Sequence, residues 1–446
     1  MAQIPLFGTA MRKSHFSFSP TFTPLNHSSF GATPHAIEEK HIAIQRYVSE
    51  RPDVFIIYKL PGLLDESRKA IAPLLGVEPN EVVFAPDATM GVNTVLRNLK
   101  FDEGDVIVHF SSIYDSCDAT VAVIGELTPL RPVGIRVTYS FEDADLVTKF
   151  KEGVIGAQKE GKNVKIAIFD IVSTFPGVRV PWEDLVAACK ELGVLSLVDG
   201  AHGIGHIVLT HLGKVSPDFF VSNCHKYVNN IQIFLKKMLN SYVWLYVPRG
   251  CAVFHVPARN QYLIHSSTPT SYASLEPGGP NGKSQFVNLF DFVATMDHTP
   301  YTIVPEAIKF RELIGGEEAI RRYCWEIARQ GGQRVAGILG TEVMENKSGT
   351  LSRCAFANVR LPLKFGSGSE GGEGSFSADG ARKVKEWVKL KAFEEADTYL
   401  QLAFYTGSMW VRFSGQIYLG LEDFELAGHK LKELCERLSD NPRLIN

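Results

Sequence analysis

Short apolar runs and helical patterns alternate along the first part of the chain. From about residue 60 to 260, runs rich in Val, Ile and Phe are separated by stretches whose apolar residues recur at helical spacing. The runs are apolar at consecutive positions, so we expect both faces of each strand to be covered. This pattern predicts a parallel sheet with helices on both sides, the doubly wound α/β class. The strands are predicted at 81–85, 106–110, 132–138, 164–170, 194–199 and 218–222.

The pattern changes after about residue 300, where long helical stretches alternate with a few short strands. The helices are predicted at 304–314, 316–338 and 378–395, and the strands around 351–360 and 409–418. Such a mixture is typical of a second, smaller α+β domain. The large domain is predicted to cover residues 36–300, and the small domain residues 1–35 and 301–446.

Composition narrows the function classes. The chain has 446 residues, and its 46 basic and 49 acidic side chains are well mixed, so we expect no nucleic-acid partner. The seven cysteines are scattered without a C-x-x-C spacing, which indicates neither a disulfide framework nor a metal site. No apolar run approaches the length of a membrane span, and no targeting segment stands out. We therefore expect a cytoplasmic protein without a membrane partner.

Polar residues follow several predicted strands. They are the segment 87–93 and the side chains of Tyr114, Asp170, Asp199 and Lys226. In doubly wound sheets, ligands bind outside the carboxyl ends of the strands. The sequence therefore predicts one site at this edge of the sheet.

Lys226 and Asp199 suggest the chemistry of that site. A lysine beyond one apolar strand and a carboxylate beyond another are what a pyridoxal phosphate enzyme needs, one to form an imine with the cofactor and one to protonate its pyridine nitrogen. Each residue also has a simpler interpretation, because most lysines are surface charges and Asp199 could cap a turn before Gly200. The pairing of the two at successive strand ends favours the cofactor hypothesis.

A phosphate group needs a helix N-terminus, where backbone amides are free to bind an anion. The best candidate is the segment Ala88-Thr89-Met90-Gly91, between strand 81–85 and a helix predicted at 92–98. The alternative is that Thr89 only caps this helix.

Three further side chains could belong to the site. Tyr114 could stack on the cofactor ring or act as an acid, and a core tyrosine would look the same. His202 could donate to the phenolic oxygen of the cofactor. Arg412 lies in an otherwise apolar run and needs a partner, either a substrate carboxylate or an internal salt bridge.

Several longer motifs extend over nearly the whole chain. They are 25–31 (LNHSSFG), 64–68 (LDESR), 88–98 (ATMGVNTVLRN), 199–202 (DGAH), 222–226 (SNCHK) and 423–437 (DFELAGHKLKELCER). In this order they resemble the class V aminotransferase group of fold type I pyridoxal phosphate enzymes, which includes cysteine desulfurases and isopenicillin N epimerase. Within the group the chain is most similar to the fungal hercynylcysteine sulfoxide lyases of ergothioneine biosynthesis.

The resemblance implies a set of residues around pyridoxal 5'-phosphate. They are Ala88, Thr89, Met90, Tyr114, Asp199, His202, Ser222, Asn223, His225, Lys226 and Thr295. Lys226 would form the imine and Asp199 would pair with the pyridine nitrogen. Thr89, His225 and either Ser222 or Asn223 would reach the phosphate.

The resemblance also implies a homodimer that binds a small amino-acid substrate. Thr295 would reach across the interface to the partner's phosphate. Arg412 would bind the substrate carboxylate, with Asn26 and His27 at the mouth of the site. Tyr114 matches the ring-stacking position.

The chain departs from the group directly after the reactive lysine. Members of the group read His-Lys-Trp-Leu without a break, so residues 227–243 are an apparent insertion. The group also has a basic cluster before its last arginine, whereas this chain has Tyr405-Thr-Gly-Ser-Met-Trp410. The insertion calls catalysis into question, and the second difference weakens the case for the same sulfoxide substrate.

The leading hypothesis is a carbon–sulfur lyase. Lys226 would remove the α-proton of a cysteine conjugate, such as a sulfoxide, and elimination at the β-carbon would release a sulfenic acid or thiol, then pyruvate and ammonia. The alternatives are an amino-acid epimerase, an enzyme that forms a bond at the α-carbon, and a relative made inactive by residues 227–243.

Overall fold

The computed structural model describes most of the chain. The described residues are 7–224, 245–265, 283–293, 295–366, 376–377 and 380–445. His225, Lys226 and the segment 227–243 lie outside them.

A seven-stranded sheet forms the centre of the larger part of the structure. Its strands are β1 (Val82–Ala85), β2 (Asp105–Phe110), β3 (Arg131–Ile135), β4 (Asn163–Asp170), β5 (Leu195–Asp199), β6 (Phe219–Asn223) and β7 (Ala252–His255). Their order across the sheet is β1-β7-β6-β5-β4-β2-β3. Strand β7 is antiparallel to both of its neighbours, and all other pairs are parallel. The prediction of a mostly parallel, doubly wound sheet is confirmed.

The helices in the part of the chain up to residue 302 include those that cover both faces of this sheet. They are α1 (Thr9–His15), α2 (His27–Phe30), α3 (His35–Glu50), α4 (Pro52–Val54), α5 (Leu60–Leu75), α6 (Ala88–Asn98), α7 (Asp115–Leu127), α8 (Asp143–Lys159), α9 (Trp182–Leu192), α10 (Leu212–Val215), α11 (Gln285–Asp291) and α12 (Thr299–Thr302), with a π-helical turn (Phe55–Lys59) before α5. No helix in the described ranges combines the length and the apolar character needed to cross a membrane.

The apolar strands are explained by two cores, one on each face. In β4, Ile166 and Ile168 pack into the core that contains α6, α7 and α11. The alternating residues Ala167 and Phe169 pack into the core that contains α8 and α9. Because successive side chains of a strand point to opposite faces, burial on both sides requires an unbroken apolar run.

A smaller three-stranded sheet follows. Its strands are β8 (Phe356–Arg360), β9 (Gln401–Tyr405) and β10 (Ser408–Ser414), antiparallel in the order β8-β10-β9. The accompanying helices are α13 (Val304–Leu313), α14 (Gly316–Leu339), α15 (Ala381–Ala396) and α16 (Leu421–Asp440). The N-terminal segment contacts this part of the structure, because the Ser414 amide donates to the Leu25 carbonyl at 2.9 Å.

A network of four charged side chains joins α5 to α11. Arg68 Nη1 lies 2.9 Å from Asp291 Oδ1, and Lys283 Nζ lies 2.7 Å from Asp291 Oδ2. Asp65 contacts both cations, with Lys283 at 2.8 Å and Arg68 closer still. Asp65 and Arg68 belong to the 64–68 motif, so one role of that motif is to hold α11 against the sheet.

Replacing Asp291 by alanine should destabilise the fold by about 3 kcal/mol, because two largely buried cations would then share one half-exposed carboxylate. Urea unfolding followed by circular dichroism measures this change. The control is Glu160→Ala, which removes an exposed ion pair with Lys162 and should leave the unfolding free energy nearly unchanged. Equal effects of the two substitutions would contradict the assignment.

Candidate active site

The carboxyl ends of three parallel strands bring polar side chains together. Asp170 at the end of β4 is in register with Asp199 at the end of β5. Asp199 is in register with Val221, two residues before the end of β6 at Asn223. Ligands of such sheets bind at this edge. The chain leaves β6 there, three residues before Lys226.

Asp199 is nearly fully buried and uses both carboxylate oxygens. Oδ1 accepts a hydrogen bond of 2.8 Å from the Ala201 amide, and Oδ2 lies 3.3 Å from the Cys117 thiol. Oδ1 therefore caps the turn after β5, as the simpler interpretation of Asp199 suggested, but Oδ2 does not. Oδ2 faces α7 and the ligand edge, where a cationic ring nitrogen would find a buried anion.

The N-terminus of α6 lies beside the end of β6. The helix begins at Ala88, four residues earlier than predicted, and its cap is Asp87, whose Oδ1 accepts from the Met90 amide at 2.8 Å. The alternative that Thr89 caps the helix is therefore wrong. Asn223 reaches across from β6, and its Oδ1 accepts from the Ala88 amide at 2.8 Å. Thr89 lies between these two occupied amides, half-buried at the predicted phosphate position.

Ser222 has a different environment from that of Asn223. Its hydroxyl donates to the Gly200 carbonyl and accepts from the Ile204 amide at 3.0 Å. These bonds hold the loop after β5 against β6. Of the two neighbours, Asn223 is the one that contacts the helix N-terminus.

Tyr114 and His202 approach the same edge from two loops. Tyr114 immediately precedes α7 and is half-buried, and burial raises the pKa of its hydroxyl. His202 is buried, with Nε2 at 3.4 Å from the Thr174 hydroxyl. The edge of its ring meets the face of Phe356, with 5.2 Å between ring centroids.

Arg412 is buried in the small sheet, and its hydrogen-bond partners among the described residues are neutral. Its Nη2 donates to Ser28 Oγ at 2.6 Å and to Asn26 Oδ1 at 3.2 Å, and its Nη1 donates to the Thr174 carbonyl. Its guanidinium lies over the ring of Phe356 at 4.7 Å. Burial lowers the pKa of Arg412 to about 10, which leaves the group cationic at neutral pH.

No carboxylate among the described residues pairs with Arg412, and its Nε is buried without a hydrogen-bond partner. The internal salt bridge suggested as an alternative is therefore absent from the described part of the chain. Asn26 Nδ2 is a second buried donor that finds no partner in the described part of the chain. His27, by contrast, has a hydrogen-bond partner, since its Nδ1 lies 2.5 Å from the Tyr418 hydroxyl.

The loop 173–177, Asn358 and Phe356 were not predicted as part of the site. Asn358 fixes the loop through two bonds of 2.9 Å to the amide and carbonyl of Gly177. A Cβ atom at Gly177 would lie 2.5 Å from Arg412 Cδ and 2.7 Å from Phe356, so glycine is required by this close approach. The Pro-Gly pair at 176–177 marks a loop in the sequence, but nothing local indicates Phe356.

Three predicted site residues are not assembled by the described structure. His225 and Lys226 lie outside the described residues. Thr295 is exposed between α11 and α12 on this single chain. Cys224 and Leu245, the described residues on either side of the segment that contains Lys226, lie close together. The Leu245 amide donates to the Cys224 carbonyl at 3.3 Å.

Residues 59–229 match the family Aminotransferase class-V. The chain is 31% identical to the L-cysteine desulfhydrase-like protein lolT1 of Epichloe uncinata, over 97% of this chain and 96% of that protein. It is 30% identical to the hercynylcysteine sulfoxide lyase of Schizosaccharomyces pombe, over 98% of this chain and 100% of that protein. The chain belongs to the class-V aminotransferase family.

A solved structure has the same fold. The cystine C–S lyase C-DES, in complex with its reaction product cysteine persulfide, superposes with a TM-score of 0.69 at 18% identity, over 92% of this chain and 98% of that one. The similarity confirms the fold type that the sequence motifs indicated.

Membership of the class-V family implies pyridoxal 5'-phosphate as the cofactor, and the residues at the strand ends fit it. Asp199 is a buried carboxylate of the kind that would pair with a pyridinium nitrogen. The start of α6 is a helix N-terminus of the kind that would receive a phosphate. The prediction of a pyridoxal phosphate-dependent enzyme is confirmed, and its relatives include carbon–sulfur lyases.

Proposed function

We propose that this protein cleaves the bond between the β-carbon and sulfur of a cysteine conjugate, releasing pyruvate and ammonia. The observation that carries the proposal is the buried Arg412, a cation with no carboxylate partner among the described residues. Leaving a charge buried and unpaired costs free energy. The carboxylate of an amino-acid substrate would compensate it when the substrate binds.

The surroundings of Arg412 suit a planar carboxylate. Phe356 supports one face of the guanidinium, while Ser28 and the Thr174 carbonyl fix its plane. Asn26 lies beside it, because its Oδ1 accepts from Arg412 Nη2, and its Nδ2 has no partner among the described residues. Arginine binds carboxylates with two parallel hydrogen bonds when its plane is fixed in this way.

The residues at the strand ends have separate roles in the proposed reaction. When bound, pyridoxal phosphate supplies an electron sink for the charge left after loss of the α-proton. Asp199 would hold the proton on the pyridine nitrogen, and Tyr114 would lie against the ring. Thr89 and Asn223 would bind the phosphate at the start of α6. Lys226 is assigned from sequence as the residue that binds the cofactor and moves the α-proton.

The outcome of the reaction is proposed from the relatives. Two of them carry names of carbon–sulfur chemistry, a cysteine desulfhydrase-like protein and a sulfoxide lyase. Their similarity over nearly the whole chain supports elimination at the β-carbon, with a thiol or sulfenic acid as the leaving group. The proposal includes a homodimer in which Thr295, exposed on the single chain, reaches the partner's phosphate.

Incubation with S-substituted cysteines and their sulfoxides tests the proposal, with pyruvate and ammonia measured together. We expect equal amounts of the two products from the wild-type protein and none from Asp199→Ala. Asp184→Ala, which removes an acidic side chain in the first turn of α9, is the control and should leave turnover unchanged. Entry of solvent deuterium at the α-carbon without pyruvate would instead identify an epimerase.

A further inference from the structure

We propose that Cys117 is a positioning residue that holds the Asp199 carboxylate toward the pyridine nitrogen of the cofactor. The inference rests on the proposed function, because it assigns a partner to the carboxylate that would bind that nitrogen. Its basis is the contact of 3.3 Å between Cys117 Sγ and Asp199 Oδ2.

Cys117 reaches Asp199 from the first turn of α7. Tyr114 immediately precedes the helix and Cys117 lies three residues later, a spacing that puts both on one side of it. Cys117 and Asp199 are each 1% exposed, so water does not compete for the bond. The same turn of helix thus supplies both the ring that would stack on the cofactor and the donor that contacts its anion.

The two oxygens of Asp199 are held from different elements. Oδ1 accepts from the Ala201 amide at 2.8 Å, in the loop after β5, and Oδ2 is contacted by the thiol of α7. Two donors fix the rotation of the carboxylate about its last bond. An ionised carboxylate offers about four lone-pair positions, so Oδ2 keeps one for a pyridinium N–H.

A thiol suits this position better than a strong donor. A thiol hydrogen is a weak donor, so it orients the oxygen while leaving most of the negative charge for the ring nitrogen. An alanine would leave the oxygen free to turn away. A serine would keep a donor at the same place.

Titration of the purified protein with pyridoxal 5'-phosphate, followed by visible absorption, tests the inference. We expect Cys117→Ala to raise the cofactor dissociation constant about fivefold and to shift the absorption band of the bound cofactor. Cys117→Ser keeps a donor at the same place and should therefore bind the cofactor more tightly than Cys117→Ala does. Cys189→Ala removes an equally buried thiol from α9, on the other face of the sheet, and should change neither. Thermal unfolding of each variant shows that it is folded.

A double-mutant cycle separates this inference from the proposed function. In an Asp199→Asn background, Cys117→Ala should have no further effect on the dissociation constant. If Cys117→Ala binds like the wild type, or if serine weakens binding as much as alanine, the positioning role is wrong even though Asp199→Asn still weakens the cofactor. If Asp199→Asn itself leaves binding and spectrum unchanged, the assignment of Asp199 fails and the role of Cys117 fails with it.

Discussion

Replacing Arg412 by methionine should lower kcat/KM for a cysteine-derived substrate by about a thousandfold and leave cofactor binding intact. Methionine keeps much of the apolar stem that packs on Phe356 but removes the charge. The loss should appear mainly as a higher KM, because the guanidinium contacts the carboxylate both before and during the reaction. Steady-state kinetics measure it, and the visible spectrum checks the cofactor.

Stability gives this prediction a second readout. Arg412 pairs with no carboxylate among the described residues, so its removal leaves no buried anion behind and should lower the unfolding temperature by only a few degrees, about 1 kcal/mol. Arg360→Met on the neighbouring strand β8 is the matched control, since it removes only a partly exposed contact with Glu342. Unchanged kcat/KM in Arg412→Met would exclude the arginine as the carboxylate site.

Most strands of the central sheet could be predicted from the sequence because they are buried on both faces, whereas the edge strand β3 is largely exposed. Asp199 could be placed at the ligand edge for the same reason, since it ends an apolar strand. Asn223 was indicated by the resemblance alone. Strand β7 was not predicted because it is only four residues long and antiparallel to both of its neighbours. Strand β9 was missed because it pairs only with β10 at the edge of the small sheet.

The contacts between distant parts of the chain could not be predicted from local patterns. Cys117 contacts Asp199 across 82 positions, and Arg412 contacts the Thr174 carbonyl across 238. Periodicity assigns each residue to an element but does not say which side chains of two elements meet. The resemblance placed Arg412 beside a substrate without showing that Phe356 and Ser28 fix its plane.

Deleting residues 227–243 should give a more stable and more active enzyme. The Leu245 amide already donates to the Cys224 carbonyl at 3.3 Å. After the deletion, only three residues would lie between Cys224 and Leu245, namely His225, Lys226 and Trp244. The hydrogen bond between Leu245 and Cys224 would then join residues four positions apart, as in a single turn of helix. Shortening the loop from twenty residues to three should raise the free energy of unfolding by about 2 kcal/mol, from the dependence of loop-closure entropy on length.

The effect on catalysis should be larger than the effect on stability. In the shortened chain, Lys226 would be followed directly by Trp244, the order that the rest of the group has. It would then lie two residues from Cys224 and two from Leu245, which a hydrogen bond joins. Because misplacing a reacting group by about 1 Å can cost a hundredfold in rate, we expect kcat/KM to rise about a hundredfold on deletion. The same deletion with Lys226→Ala is the control, since it should show the gain in urea stability without the gain in turnover. Equal turnover of the full and shortened chains would mean that residues 227–243 leave the lysine in place, and the sequence difference from the family would then have no catalytic consequence.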